Sequence, residues 1–253
     1  MTAIQMYVGS DGVVMLTDGI AYDEAGIVRQ IHSKQWVIPS CDCVLASSGT
    51  GGALHYIKMF MEWDSPQDFD QLIDLLPAAT EKAHQELKMN LRWPNPQFMV
   101  LAAGWSEKAQ AYKGFSIFSL DWEVAGSGPV KAYTLVPEWA FSKPGPDKDS
   151  LEREGLTDDF AADLTRLGPI NFGIAMMLAQ RTTNTFMHHG EEALGYIVGG
   201  FVELSVVSRG KANSQIILRW PDTIGNPIYP EAGHWWSDHL VQPETETGEK
   251  NED

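Results

Sequence analysis

The sequence has 253 residues, 43% of them hydrophobic and 21% charged, which is ordinary for a globular protein and excludes a fibrous or largely disordered chain. Its 34 acidic and 18 basic residues give a formal net charge of −16. Such a field repels phosphate backbones and anionic lipids, so binding to nucleic acid or to a membrane surface is not expected as the main function.

The chain also carries few signs of export or of several domains. No apolar run reaches the roughly 18 residues that a membrane-spanning helix needs, and residues 1–12 do not resemble a secretory signal. Cys41 and Cys43 are too close in sequence for a fold-closing disulfide, which favours a reducing cytoplasm. We expect one domain over residues 1–242, followed by an acidic, disordered tail over 243–253.

Short apolar runs separated by turn residues fill the first fifty positions. Ser10-Asp11-Gly12 is a typical turn of this kind, with an apolar run on either side. The runs occupy residues 3–8, 13–17, 27–31, 34–38 and 43–47. Short strands at this spacing, at the start of a chain, predict β-sheet.

The middle of the chain changes period and then returns to β structure. Helical spacing of apolar residues predicts a helix over 53–63 and a second over 66–87, in which Pro77 is expected to cause a kink or a break. Three strands of a meander are predicted next, over 97–105, 109–113 and 115–120. The charged stretch 143–163, rich in Pro, Gly and Ser, is interpreted as a surface insertion.

A third helix is predicted over residues 169–187, followed by two closing strands over 200–208 and 214–220. Strands, helices, strands, helix and strands therefore follow one another in blocks. This order favours an α+β domain in which two antiparallel sheets are flanked by helices, and it does not fit the alternating pattern of a nucleotide-binding fold.

Several familiar sites are excluded by their spacing. Gly49 and Gly51 lack the third glycine of a dinucleotide fingerprint, and Lys211 is followed by Ala rather than the Ser or Thr of a phosphate-binding loop. No zinc-type set of cysteines and histidines stands out, and the adjacent His188 and His189 are interpreted as solvated loop residues. We therefore expect neither a metal nor a cofactor.

Thr2 is the first candidate for chemistry. A small residue after the initiator Met1 generally allows the methionine to be removed, which would place a free α-amine and a hydroxyl on one residue. An α-amine titrates near pH 8, so it could accept the proton of the hydroxyl. Many proteins have Thr at this position, so the hypothesis depends on the residues that follow.

Asp18 and Lys34 follow Thr2 at intervals of sixteen residues, one at the end of a predicted strand and the other at the start of another. A lysine cation near the amine lowers the pKa of that amine and favours its proton-accepting form. A carboxylate beside the lysine fixes its position. Each residue alone is more simply an exposed turn or edge residue, but the three in this order indicate a site.

These residues lie in segments that resemble a known family. The segments are TAIQMYVGSDGVVMLTDG (2–19), HSKQWVIP (32–39) and ASSGTGGA (46–53). They resemble the N-terminal third of proteasome-type β subunits and their bacterial relatives, which are N-terminal nucleophile hydrolases. Thr2, Asp18 and Lys34 match the catalytic Thr, Asp and Lys of that family, and Ser48-Gly49 match its oxyanion turn. The resemblance implies a four-layer αββα sandwich.

The resemblance continues more sparsely to about residue 220. Residues 97–105 and 199–204 resemble two later strands of the family, and Ser127 in AGSG matches a serine that supports the amine. Gly195 and Val198 stand where the family has an Asp and a Ser, which normally support the N-terminal Thr. This departure weakens the expectation of full peptidase activity.

The resulting hypothesis is a threonine-dependent hydrolase of amide or peptide bonds. Thr2 attacks the carbonyl, its own α-amine acts as base, and the backbone near Gly49 holds the oxyanion. The resemblance implies a self-assembled homo-oligomeric ring acting on peptides or unfolded protein. It leaves open an ATP-dependent unfoldase partner, which no feature of the sequence indicates.

Two alternatives remain on the same fold. A proteasome-like structural subunit could have kept the fold and lost the chemistry, which the residues at 195 and 198 favour. A small-molecule amidase would share the nucleophile but would need a closed pocket. Reaction of Thr2 with a β-lactone separates the first alternative, and oligomeric state together with substrate turnover separates the second.

Overall fold

The structure is a computed structural model that describes residues 2–90, 95–124, 128–186, 194–231 and 233–236. Helices and strands alternate in blocks within these residues. The helices are α1 (Ala53–Asp64), α2 (Phe69–Asn90), α3 (Lys148–Arg153) and α4 (Phe160–Thr182). The strands are β1 (Ile4–Val8), β2 (Val13–Asp18), β3 (Ile20–Tyr22), β4 (Val28–Ile31), β5 (Gln35–Ile38), β6 (Cys43–Gly49), β7 (Phe98–Ser106), β8 (Ala111–Phe118), β9 (Trp122–Val124), β10 (Gly128–Val130), β11 (Val136–Pro137), β12 (Ala140–Lys143), β13 (Thr185–Phe186), β14 (Leu194–Gly195), β15 (Phe201–Ser208), β16 (Lys211–Arg219) and β17 (Trp235–Trp236).

Two antiparallel sheets form the centre of the domain. The first has six strands in the order β12-β1-β2-β15-β16-β17, and the second has five in the order β11-β8-β7-β6-β5. Three short ribbons, β3-β4, β9-β10 and β13-β14, lie outside them. Strand β2 is central in the first sheet, between β1 and β15, so its last residue is surrounded by backbone on both sides.

Side-chain alternation along the strands explains the layers. On β2, Val13 and Met15 belong to the cluster of buried side chains between the sheets, whereas Val14 and Leu16 belong to the cluster under α4. Strands β1, β6 and β7 also divide their side chains between two clusters in this way. Because both faces of the sheets are covered, these strands read as continuous apolar runs rather than as alternating ones.

Helices cover the outer face of each sheet. In α1 the buried residues Ala53, Ile57 and Met61 recur every four positions, and they pack with the buried face of α2 on the five-stranded sheet. Helices α3 and α4 pack on the six-stranded sheet through a separate cluster that includes Phe172 and Met176. The predicted α+β architecture, a four-layer αββα sandwich, is therefore confirmed.

Two local predictions differ from the structure. Of the kink or break predicted at Pro77, the break is wrong, because α2 is one continuous helix. Leu76 and Ala79 on either side of Pro77 are buried in the same cluster and hold both halves on one sheet. The two predicted strands over 109–113 and 115–120 form the single strand β8. Gly114, between the two predicted strands, allows the segment at Glu138 to pack closely on β8. A Cβ at position 114 would lie 2.6 Å from the Glu138 carbonyl oxygen.

The segment 143–163 is more than a surface excursion. It contains α3 and the start of α4, and its Leu151 and Leu156 are buried in the cluster under the six-stranded sheet. Helix α4 bends at Gly168, where φ is 72°, so Pro169 begins its second half and not the whole helix. The helix ends at Thr182, before the predicted end. The predicted tail over 243–253 lies outside the described residues.

Candidate active site

Thr2 lies just before β1, and its backbone is fixed from two directions. Its N–H donates to the Ser48 Oγ at 3.1 Å, and the Ser48 hydroxyl donates to the Thr2 carbonyl at 3.3 Å. The next amide, that of Ala3, donates to Asp18 Oδ1 at 2.9 Å. The chain around Thr2 is thus held on β6 and β2 at once, and Thr2 is buried.

Asp18 closes β2 and is fully buried. Its Oδ1 accepts hydrogen bonds from the Ala3 amide and from Lys34 Nζ, the latter at 2.7 Å. Its Oδ2 accepts from the amides of Ile20 and Gly199, both at 3.3 Å. Four donors converge on one carboxylate, so its charge is compensated and its orientation is fixed.

Lys34 precedes β5 and forms a buried ion pair with Asp18, with side-chain exposures of 7% and 0%. Burial lowers the pKa of the Lys34 ammonium, and the adjacent Asp18 carboxylate opposes that shift. Burial also raises the pKa of the nearby Tyr22, and the negative charge of Asp18 raises it further, so Tyr22 remains a phenol. The structure thus brings together the two residues predicted to act on Thr2.

Gly49 ends β6, and it must be glycine. Its φ is +108°, and a Cβ would lie 2.3 Å from the Gln97 carbonyl oxygen. That oxygen already accepts the Thr50 N–H at 2.7 Å, on the β7 side of the chain, whereas the Ser47 N–H points the other way to the Lys34 carbonyl. Because amides alternate in direction along a strand, the Gly49 N–H points to the Lys34 side.

A cleft of about 580 Å³ opens at this point of the sandwich. Thr2, Lys34 and Gly49 share its wall, and the turn before α1 continues that wall. Among the described residues, its lining includes two lysines and two histidines but no aspartate or glutamate, in a chain of net charge −16. The basic residues are Lys34, Lys58, His32 and His55.

Substituting Gly49 with alanine should destabilise the protein by about 2–4 kcal/mol, because the new Cβ meets backbone atoms and the residue keeps a positive φ. Gly51→Ala is the matched control, since nothing lies within 4 Å of its Cβ position. Urea unfolding of both variants measures the difference. Equal free energies of unfolding would contradict the assigned geometry.

Other predicted positions fall into two groups. Gly195 pairs with Thr185 in the short β13-β14 ribbon, and Val198 is fully buried under the six-stranded sheet. Neither has a side chain that could bind the Thr2 amine. Ser127, His188 and His189 lie outside the described residues. In the part of the chain that the structure describes, no group of three or more His, Cys, Asp or Glu is placed to hold a metal ion.

One donor to Asp18, in the segment just before β15, was not predicted from the sequence. Gly199 contributes its amide across 181 residues of sequence. Two adjacent glycines before a strand, as at 199–200, signal a close backbone approach, and this signal could have pointed to the donor.

Among the described helices, none combines the length and apolarity needed to cross a membrane.

Comparison with solved structures gives the same architecture. A Gly-1 mutant of Anbu from Hyphomicrobium sp. strain MC1 aligns with a TM-score of 0.54 and 14% identity, covering 85% of this chain and 87% of that chain. Anbu described as an ancestral beta-subunit, from Yersinia bercovieri, aligns with a TM-score of 0.53 and 10% identity over 85% and 86%. The fold is proteasome-like.

A third structure, Anbu from Hyphomicrobium sp. strain MC1, aligns with a TM-score of 0.51 and 14% identity over 85% of this chain and 87% of that chain. No protein-family model matches the sequence, and no curated protein matches it. At 10–14% identity the likeness to Anbu establishes the fold alone.

Proposed function

We propose that this protein is a threonine-dependent hydrolase of amide or peptide bonds. One observation carries the proposal: Thr2 is fixed beside a buried Lys34–Asp18 ion pair, at the wall of a cleft that Gly49 also lines. A buried ion pair is costly to desolvate, so its place next to a hydroxyl-bearing residue in a cleft favours a catalytic role.

The proposed reaction begins with removal of Met1, which turns the Thr2 nitrogen into a primary amine about 3 Å from the Ser48 Oγ. The Thr2 Oγ then forms a bond to the substrate carbonyl carbon, while its proton passes to the amine. The amine gives that proton to the departing nitrogen as the C–N bond breaks. Water then attacks the resulting ester while the same amine takes its proton, and the amine returns that proton to the Thr2 Oγ as the ester bond breaks.

Neighbouring groups assist these steps. The Lys34 cation lowers the pKa of the α-amine by electrostatic repulsion, and Asp18 keeps the cation in place. The Gly49 N–H, directed to the Lys34 side, stabilises the oxyanion. Ser127 is proposed to support the amine.

The substrate and the assembly belong to the same proposal. A cleft without acidic residues in its described lining admits neutral or acidic side chains of a peptide or an unfolded protein without like-charge repulsion. The proteasome-like fold supports the proposal of a homo-oligomeric ring, and the free Cys41 and Cys43 support the proposal of a reducing cytoplasm. A small-molecule amidase would need a closed pocket, whereas the proposed peptide substrate needs a cleft at the surface. No described residue points to an ATP-dependent unfoldase partner.

The second candidate is a structural subunit of the same fold without activity. Gly195 and Val198 favour it, because neither residue offers the polar side chain that the family uses at that position. The arrangement of Lys34 and Asp18 favours the enzyme instead, since a purely structural subunit does not need a buried ion pair beside Thr2.

Intact mass spectrometry, before and after treatment with a β-lactone, distinguishes these candidates. We expect the purified protein to lack Met1 and to gain one acyl group per chain. An adduct should form more slowly in acid, where the α-amine is protonated. Retention of Met1 would rule out the amine as base and leave the structural subunit.

A further inference from the structure

A second buried ion pair lies next to the residues that bind Asp18, and the proposed mechanism does not use it. Arg181, near the end of α4, and Asp222, just after β16, are each only 2% exposed. Their contact is bidentate, because Arg181 Nη1 donates to Asp222 Oδ2 and Nη2 to Oδ1, both at 2.8 Å. The guanidinium also lies against the Trp220 ring, with 5.0 Å between Cζ and the ring centroid.

Both members of this pair bind the backbone of residues 198–200. Arg181 Nη1 donates to the Val198 carbonyl at 2.6 Å, and Asp222 Oδ2 accepts the Gly200 N–H at 2.7 Å. Gly199 is enclosed between them, since a Cβ there would lie 2.4 Å from Asp222 Oδ2 and 2.6 Å from Arg181 Nη1. The ion pair therefore explains why this position is glycine.

Gly199 also contacts the candidate active site directly, through Asp18. Its N–H donates to Asp18 Oδ2 at 3.3 Å, and its carbonyl accepts the Gly19 N–H at 3.0 Å. Hydrogen bonds thus join Arg181 and Asp222 to the backbone of residues 198–200, and a further hydrogen bond joins that backbone to Asp18. Asp18 in turn binds the Lys34 ammonium.

We infer that Arg181 and Asp222 are positioning residues that hold Gly199 on Asp18 and thereby fix the Lys34–Asp18 pair beside Thr2. This inference rests on the proposed function. Gly195 and Val198 stand where the resemblance predicts an Asp and a Ser that support the N-terminal Thr. In this chain, Arg181 and Asp222 would support the site instead, through Gly199 and Asp18.

Stability alone is a poor reason to keep such a pair. Desolvating two charges is unfavourable, and replacement of a buried ion pair by well-packed apolar residues is often neutral or stabilising. The pair also binds other groups of the protein. For example, the Tyr229 carbonyl accepts a hydrogen bond from Arg181 Nη2 at 2.8 Å. Because the pair also binds the backbone at Val198 and Gly200, it fixes one conformation of residues 198–200, which a hydrophobic pair would not do.

The test uses Asp222→Asn and Arg181→Lys in the full chain, with Asp163→Asn as the matched control. Asp163 is also buried and paired, with Arg166, but its contacts lie at the start of α4. For each protein, the maximal rate constant of Thr2 acylation by a β-lactone and the half-saturating lactone concentration are measured. Hydrogen–deuterium exchange of the peptide that contains residues 197–201 is followed in parallel.

We expect the maximal rate constant to fall about tenfold or more in both site variants, because small displacements of catalytic groups have effects of this order. The half-saturating concentration should not change, since neither residue lines the cleft. Exchange at 197–201 should accelerate in these two variants only. A merely structural pair would lower the thermal stability and leave the rate constant of the folded protein unchanged.

Unchanged exchange at 197–201 in Asp222→Asn overturns the inference, and so does an equal loss of rate in Asp163→Asn. A wild-type protein that does not react with the lactone overturns the proposed function and with it the catalytic consequence. In that event, the exchange measurement still decides whether the ion pair holds Gly199 in place.

Discussion

Replacing Thr2 with alanine is expected to abolish both acylation by a β-lactone and hydrolysis of peptide substrates, lowering the rate by about a thousandfold or more. The hydroxyl is the nucleophile that forms the acyl-enzyme in the proposed mechanism, and its loss removes the covalent route altogether. Intact mass and peptide turnover measure the effect. Stability should change little, because the contacts that fix Thr2 come from its backbone amide and carbonyl.

Thr2→Ser is the control for this prediction, since it retains a hydroxyl and an α-amine and should keep part of the activity. Cys41 is the competing nucleophile to be tested. Hydrogen bonding to the Cys43 thiol lowers the pKa of the Cys41 thiol to about 7, although the residue is buried, with 3% exposure. An adduct that persists in Thr2→Ala and disappears in Cys41→Ser would contradict the assignment of the nucleophile.

Replacing Lys34 alone should cause the largest loss of stability in the site. Lys34→Met leaves the fully buried Asp18 carboxylate without its cation, and breaking a buried pair in this way costs about 3–5 kcal/mol. Acylation of Thr2 should be lost as well, because the α-amine no longer has a cation beside it. Urea unfolding and intact mass after lactone treatment measure the two effects.

Two further variants separate stability from chemistry. Removing both charges, as Lys34→Met with Asp18→Asn, should restore much of the lost stability but none of the acylation. The exposed pair Lys108–Asp74 gives the matched control, since its side chains are 68% and 69% exposed and Lys108→Met should change stability by about 1 kcal/mol or less. A double variant that labels as fast as the wild type would contradict the role of Lys34.

The early part of the site could be predicted because its residues lie at strand ends close together in sequence. Asp18 ends β2 and Lys34 precedes β5, and the β3-β4 ribbon between them returns the chain so that the two side chains lie 2.7 Å apart. The glycine at position 49 was also predictable, since the turn into α1 needs a positive φ there. These are local features, which is why one sequence suffices to see them.

The support behind Asp18 could not be predicted, because its contacts are distant in sequence. Gly199 donates to Asp18 across 181 residues, and Arg181 meets Asp222 across 41. Neither charge belongs to a motif, and each reads as an ordinary surface residue until the sheet order places β15 beside β2. Only the three-dimensional arrangement shows that these residues are buried.

The layered fold was predictable from the order of elements, whereas some of the packing was not. The charge content of 143–163 indicated a surface segment, yet two leucines there, Leu151 and Leu156, are enough to fix it against the core. In α2, the apolar face on both sides of Pro77 outweighs the helix-breaking tendency of proline. Tertiary burial decides both cases, and local composition does not report it.

Locating the acyl group by tandem mass spectrometry tests the central claim most directly. The lactone-treated wild-type protein is digested, and the N-terminal peptide is fragmented. We predict that this peptide begins at Thr2 and carries the acyl group on the Thr2 side chain. An N-terminal peptide that still begins at Met1, or an acyl group found only on another residue, would contradict the account.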